Sequence, residues 1–171
     1  MPITATIMDG KAVARSVLEH CAESARRITQ ATGLRPCLAT VLVGNDPASA
    51  TYVRMKRKRC QTVGIDSQAE HLAASTTTSQ LVEKITCLGN DPAVHGILLQ
   101  HPVPDSIDER AAFEAIVPHK DVDGVTIASF GAVSFDLFGF ASCTPAGMMR
   151  LLDHHRVEVE GRHAVVIGRS P

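Results

Sequence analysis

The chain has 171 residues, of which 44% are hydrophobic, and a formal net charge of −1. That length suits one full domain, or one domain and the start of another, and the near-neutral charge excludes a global field for nucleic acid or acidic membranes. One Tyr and no Trp argue against a base-stacking platform for single strands, and no apolar run reaches the ~18–20 residues of a membrane span.

Residues 10–32 predict a long amphipathic helix, ended by Gly33 and Pro36. Cys37–Val43 is a continuous apolar, β-branched run ending at Gly44, the pattern of a buried parallel strand. A helix over 47–63 follows, with Asp46 as N-cap, Pro47 at its first position and Gly64 at its end. A weaker strand covers 68–72. A Ser/Thr-rich cap at Ser75–Thr78 then starts a helix through about residue 88, and Asn90-Asp-Pro92 turns the chain. His95–Gln100 is a second strong strand, stopped by Pro102 and Pro104. Asp105 or Ser106 caps a helix over 107–116. After the loop Lys120–Gly124, residues 125–142 show no clear period, and a helix over 145–155 follows. His163–Ile167 reads as a third buried strand before Gly168-Arg-Ser-Pro171.

Strands alternating with helices predict an α/β fold, an open and mainly parallel sheet flanked by helices. A strand leading into a glycine turn is how a nucleotide-binding βαβ unit begins. The chain is therefore expected to stop just inside a second domain, a plain strand end being the alternative. Cys21, Cys37, Cys60, Cys87 and Cys143 are odd in number and form no C-x-x-C pair, which fits neither a disulfide framework nor a zinc site. Reduced thiols and the amphipathic pattern after Lys11, in place of an apolar leader, predict a cytoplasmic protein. No metal is expected.

Ligands of open α/β sheets bind outside the carboxyl ends of the strands, and three polar features fall there. Tyr52 and Lys56, four apart, share one helix face. Five of the six residues from Arg54 to Arg59 are cationic, and like charges favour a neutral Lys56 amine suited to acid–base chemistry; the alternative is a solvated basic face. Gln100, with His101 beside it, ends the second strong strand, and either serves the pocket or only its own loop. Asp121 and Asp123 are either pocket carboxylates or turn acids. Together these offer an amine, an amide, a carboxylate and an aromatic face, a set suited to a flat, amide-rich heterocycle. His154 and His155, near a helix end, read as structural.

VLVGNDPASATYVRMKRKRCQTVGI, GILLQHPVP, KDVDG and CTPAG occur in order and at the spacing of a known family. From about Asp9 to Pro171 the chain resembles the bifunctional methylenetetrahydrofolate dehydrogenase/methenyltetrahydrofolate cyclohydrolase family. The resemblance implies a tetrahydrofolate-binding catalytic domain over 1–145. Residues 146–171 would then be the connecting helix and first strand of a Rossmann NADP-binding domain, incomplete here. It also implies an active site in the cleft between the domains, a homodimer, and one-carbon derivatives of tetrahydrofolate as substrates. Lys56 is similar to the family's catalytic lysine and Gln100 to the glutamine that hydrogen-bonds it. Tyr52 resembles the aromatic on the folate ring, and Asp123 the carboxylate on the pterin edge. Ser49 and Gly44 match loop-shaping positions, and His101 falls within the substrate-binding set. Gly168, Arg169 and Ser170 resemble the opening of the cofactor's phosphate loop.

The implied reactions are NADP-dependent oxidation of 5,10-methylenetetrahydrofolate and hydrolysis of the methenyl product to 10-formyltetrahydrofolate. His101 stands where the family usually has leucine, Ser142 where it has proline, and Ser129-Phe-Gly131 where it has Asn-x-Gly. These departures predict a divergent subgroup. Two other readings are a folate-binding module with cyclohydrolase activity only, or none, and a nucleic-acid binder using Arg54–Arg59, which the near-neutral charge disfavours.

Overall fold

In the computed structural model, which describes residue 5 and residues 7–168, three parallel strands lie in the order β2-β1-β3. These are β1 (Cys37–Val43), β2 (Asp66–Leu72) and β3 (Gly96–Leu99). Each connection is a helical crossover, as parallel pairing requires. Helix α1 (Gly10–Thr32) precedes β1, α2 (Pro47–Val63) joins β1 to β2, and α3 (Thr78–Asn90) joins β2 to β3. Helices α4 (Glu109–Glu114), α5 (Ile127–Ser134) and α6 (Cys143–His154) follow.

The central strand explains the two-layer packing. Ala39, Val41 and Val43 alternate onto one face, where they meet Leu81, Ile85 and Leu88 of α3 and Ile107, Ala112 and Ile116 around α4. Thr40 and Leu42, also buried, fall on the opposite face by the same alternation. Asp46 caps α2 as expected, its carboxylate accepting from the Ser49 amide at 2.7 Å. Thr77 and Gln80 close a reciprocal capping box on α3.

Four expectations are corrected. Helix α4 starts later than residue 107: Asp108, not Asp105 or Ser106, accepts from the Ala111 amide at 3.0 Å. Ile107, before it, is pulled into the core at 6% exposure. Residues 127–134, without a clear period in sequence, form α5 behind the Thr126 cap. Helix α6 begins at Cys143 rather than 145. Residues 163–167 join no strand, and Val165, Val166 and Ile167 are 72%, 91% and 96% exposed. Among the described residues nothing pairs with them, and a strand exists only through its ladder. Arg169 and Ser170 lie outside the described residues.

Candidate active site

The carboxyl ends of β1 and β3, and the segment that bridges to Ile97 at Asp121, deliver the candidate groups to one region. Lys56, half-buried on α2, donates from Nζ to Gln100 Oε1 at 3.1 Å. Gln100 is 8% exposed, and its Nε2 donates to the His101 carbonyl at 2.7 Å. With the amide nitrogen committed to that carbonyl, the amide oxygen is the atom left for the lysine. The peptide after Gln100 thus sets which face of the glutamine Lys56 meets.

Tyr52, one turn before Lys56, is 58% exposed, so its ring is free to pack on a ligand. Ser49 is buried and serves the start of α2; its amide and then its hydroxyl hold the Asp46 carboxyl below the ordinary carboxylate range. Gly44 turns the chain out of β1 at φ 80°, a left-handed conformation suited to glycine. The His101 ring lies edge-on to Phe113 at 6.3 Å, and its carbonyl is what reaches Gln100.

Asp121 and Asp123 take different parts. Asp121 is fully buried, and its carboxylate accepts from the Val125 amide at 3.1 Å, the Thr126 amide at 2.9 Å and the Thr126 hydroxyl at 2.7 Å. Desolvation pushes its pKa up, but the hydrogen bonds from Ser129, Thr126 and Val125 outweigh it and hold the carboxyl below its ordinary value. Asp123 is half-buried and faces the Cys143 thiol. That thiol lies 3.8 Å from the Val122 carbonyl and is pushed up to about 11, by desolvation, then by Asp123 and more weakly by the Asp121 charge, while the Lys56 charge pulls it down. Cys143 is exposed as a residue; the crowding is confined to the sulfur's side, against the 121–124 turn.

Gly124, at φ 65°, is what lets the chain close over this turn. A Cβ there would collide with the Phe140 carbonyl oxygen and lie 2.8 Å from Ala141 C and Ser142 N. The Ser142 hydroxyl donates to the Gly124 carbonyl at 3.4 Å, a contact a proline could not make. Ser129 is buried, its amide donates to the Thr126 hydroxyl oxygen at 3.1 Å, and its own hydroxyl lies 3.1 Å from the same oxygen.

Lys120 had no role in the sequence reading. It is 7% exposed, and its Nζ donates to the carbonyls of Gly89 at 2.7 Å, Asp91 at 2.8 Å and Leu88 at 3.4 Å. It adds a charged partner to carbonyls around the end of α3, where Leu88 and Asp91 also accept from the Asp91 and Val94 amides at 3.3 and 3.1 Å. No local pattern signals this, because only the tertiary fold returns residue 120 to residues 88–91. Thr126 did carry a signal, a hydroxyl residue just before a short apolar run.

Among the described residues, no group of three or more His, Cys, Asp or Glu side chains is placed to hold a metal ion. No helix among them is long and apolar enough to cross a membrane. A groove of about 900 Å³ runs between α1 and α6, past Val17, Arg59 and Met149. It touches Cys143 but none of Tyr52, Lys56, Gln100 or Asp123, so the candidate chemistry lies beside it.

Residues 8–123 match the model of the tetrahydrofolate dehydrogenase/cyclohydrolase catalytic domain. Residues 142–171 match that of the corresponding NAD(P)-binding domain. The bifunctional protein FolD 1 of Streptomyces avermitilis is 60% identical over 98% of this chain and 58% of its own length. Among solved structures, the FolD methylenetetrahydrofolate dehydrogenase/cyclohydrolase of Campylobacter jejuni aligns with a TM-score of 0.93 at 41% identity, over 96% of this chain and 58% of that one. The Trypanosoma brucei dehydrogenase-cyclohydrolase, complexed with NADP cofactor and inhibitor, aligns at 0.87 and 32% identity, over 94% and 55%. The chain thus spans less than two thirds of the length of these relatives.

Proposed function

This chain belongs to the tetrahydrofolate dehydrogenase/cyclohydrolase family, and on that premise we propose that it acts on one-carbon derivatives of tetrahydrofolate. The activity proposed is NADP-dependent oxidation of 5,10-methylenetetrahydrofolate to the 5,10-methenyl form, followed by hydrolysis to 10-formyltetrahydrofolate. The observation that carries the reading is the Lys56–Gln100 contact at 3.1 Å, with Tyr52 a turn away on the same helix.

In the hydrolytic step water adds to the methenyl carbon and loses a proton. The bond from that carbon to N5 then breaks as N5 gains a proton and the new hydroxyl gives one up, leaving the formyl group on N10. Lys56 is the group we assign to those proton transfers, and Gln100 holds its amine in place. Asp123 accepts from the pterin N–H groups, Tyr52 packs on the ring, and the cations of Arg54–Arg59 draw the glutamate tail. Ser49 and His101 shape this site through the start of α2 and the Gln100 amide.

The NADP assignment is supported by the match of residues 142–171 to the NAD(P)-binding domain model and by the cofactor in the Trypanosoma brucei relative. A division near residue 145, a homodimer and a cytoplasmic location complete the proposal; the five unpaired cysteines support a reducing compartment.

The test is hydrolysis of 5,10-methenyltetrahydrofolate by the chain and by Lys56→Ala, a reaction that needs no nicotinamide. Turnover above background that falls by roughly 100-fold or more in the variant is expected. A chain that neither turns over nor binds this folate would overturn the assignment.

A further inference from the structure

The segment Lys120–Gly124 spends its first two side chains inside the protein. The Lys120 ammonium is buried against the carbonyls of Leu88, Gly89 and Asp91, at the C-terminus of α3. The Asp121 carboxylate is buried against the Val125 and Thr126 amides, at the N-terminus of α5. Each charge therefore meets the helix end of opposite partial charge. The backbone is pinned a third time where Asp121 bridges to Ile97, and Val122 lies close against Gly96. Asp123, the next acid, is half-buried beside Cys143 and is not among these internal contacts.

We propose that Lys120 and Asp121 are positioning residues: an oppositely charged pair, one on each of two helix ends, that fixes the turn from which Asp123 reaches the substrate. The Thr126 hydroxyl belongs to the same device, because it donates to Asp121 at 2.7 Å. The substrate part of this rests on the reading of Asp123 as the pterin carboxylate. The placement of Asp123 does not, and it can be read without any folate.

The readout is the Cys143 thiol, whose titration senses where Asp123 stands. Alkylation by iodoacetamide is followed against pH and mapped to Cys143 by peptide mass, with folding checked by circular dichroism. For the unmodified chain the expected half-reactivity lies near pH 11. Asp123→Ala lowers that midpoint by on the order of one pH unit, through loss of a neighbouring negative charge. Asp121→Asn also lowers it, but the Asp121 charge acts directly on the thiol, so the charge-preserving Thr126→Val carries the test: it lowers the midpoint because the turn relaxes and takes Asp123 away from the sulfur. Added to Asp123→Ala, the Thr126 change has no further effect, since it acts through the group already removed. Thr126→Ser restores the midpoint.

In parallel, the affinity for tetrahydrofolate falls about ten-fold in Asp121→Asn, as expected for one weakened charge-assisted hydrogen bond, and does not fall further when Asp123 is already alanine. Failure of the unmodified chain to bind tetrahydrofolate would sink the proposed function and leave the thiol titration to decide the positioning claim. That claim is overturned if folded Thr126→Val keeps the midpoint of the unmodified chain, or if its effect adds in full to that of Asp123→Ala.

Discussion

Replacing Gly124 by alanine tests the closest backbone approach beside the candidate site, and Gly33→Ala supplies its control. Both glycines hold left-handed backbone, at φ 65° and 74°, so both variants carry the same penalty of about 1–2 kcal/mol for an L-residue there. Both also gain the same small amount from a stiffer unfolded chain. They differ in what the new Cβ meets. At Gly33 nothing lies within 4 Å, whereas at Gly124 the methyl strikes the Phe140 carbonyl oxygen and sits 2.8 Å from two further backbone atoms. Backbone cannot swing aside like a side chain, so residues 140–142 must move bodily. An overpacked contact of this kind costs about 1–3 kcal/mol. Gly124→Ala should therefore lose about 2–5 kcal/mol in all, and about 1–3 kcal/mol more than Gly33→Ala. Urea unfolding followed by far-UV circular dichroism, at unchanged m-value, measures the difference. Equal losses in the two variants would refute the claim that 140–142 lies directly over the turn.

Lys120→Met keeps the bulk of the side chain but removes its three donors from buried carbonyls. A stability loss of about 2–4 kcal/mol in the same urea assay is expected, and a stabilised variant would contradict the role given to the ammonium. Asp121 makes stability depend on pH with a definite sign. Its folded pKa lies below the ordinary 3.8, so its contribution is fully present above that value and is lost as pH falls through the folded one. Asp121→Asn should therefore flatten the acid limb of the stability curve below about pH 4. An acid limb as steep as that of the unmodified chain would show that the carboxylate is not held this way.

Much of the fold was legible because its central elements carry strong local signals. β1 and β3 are unbroken apolar runs, and α2 is bracketed by Asp46-Pro47 and Gly64, so their positions follow from residue type alone. The start of α4 was not, because Asp105, Ser106 and Asp108 can all cap a helix. Burial of Ile107 makes the choice, and burial is a tertiary fact. α5 escaped because IASFGAVS contains no charged residue, so it has no polar face against which a 3.6-residue period could show. It also leaves Ile127 and Phe130 exposed, contrary to what hydrophobicity alone predicts. At 163–167 the propensity for a strand is real, but no neighbour among the described residues completes a ladder.

The candidate site divides on the same principle, most clearly at Asp121 and Asp123. In extended chain, residues two apart line one face, and a pattern reading treats the pair as equivalent carboxylates aimed at one ligand. The Gly124 amide donates to the Asp121 carbonyl at 3.2 Å, so the segment is a turn, and the two side chains part. Asp121 goes inward to satisfy the start of α5, and Asp123 stays half-buried beside Cys143. Lys56 and Lys120 divide likewise: one amine faces a glutamine oxygen at the edge of the site, the other is consumed by three carbonyls in the interior. Residue type says which groups could do chemistry. Which of them are still free to do it depends on where the backbone's own unpaired donors and acceptors lie, and those are set by helix ends far away in sequence. A motif match therefore carries over ligand-facing and internally spent residues alike, and only the hydrogen-bond inventory of the folded chain separates them.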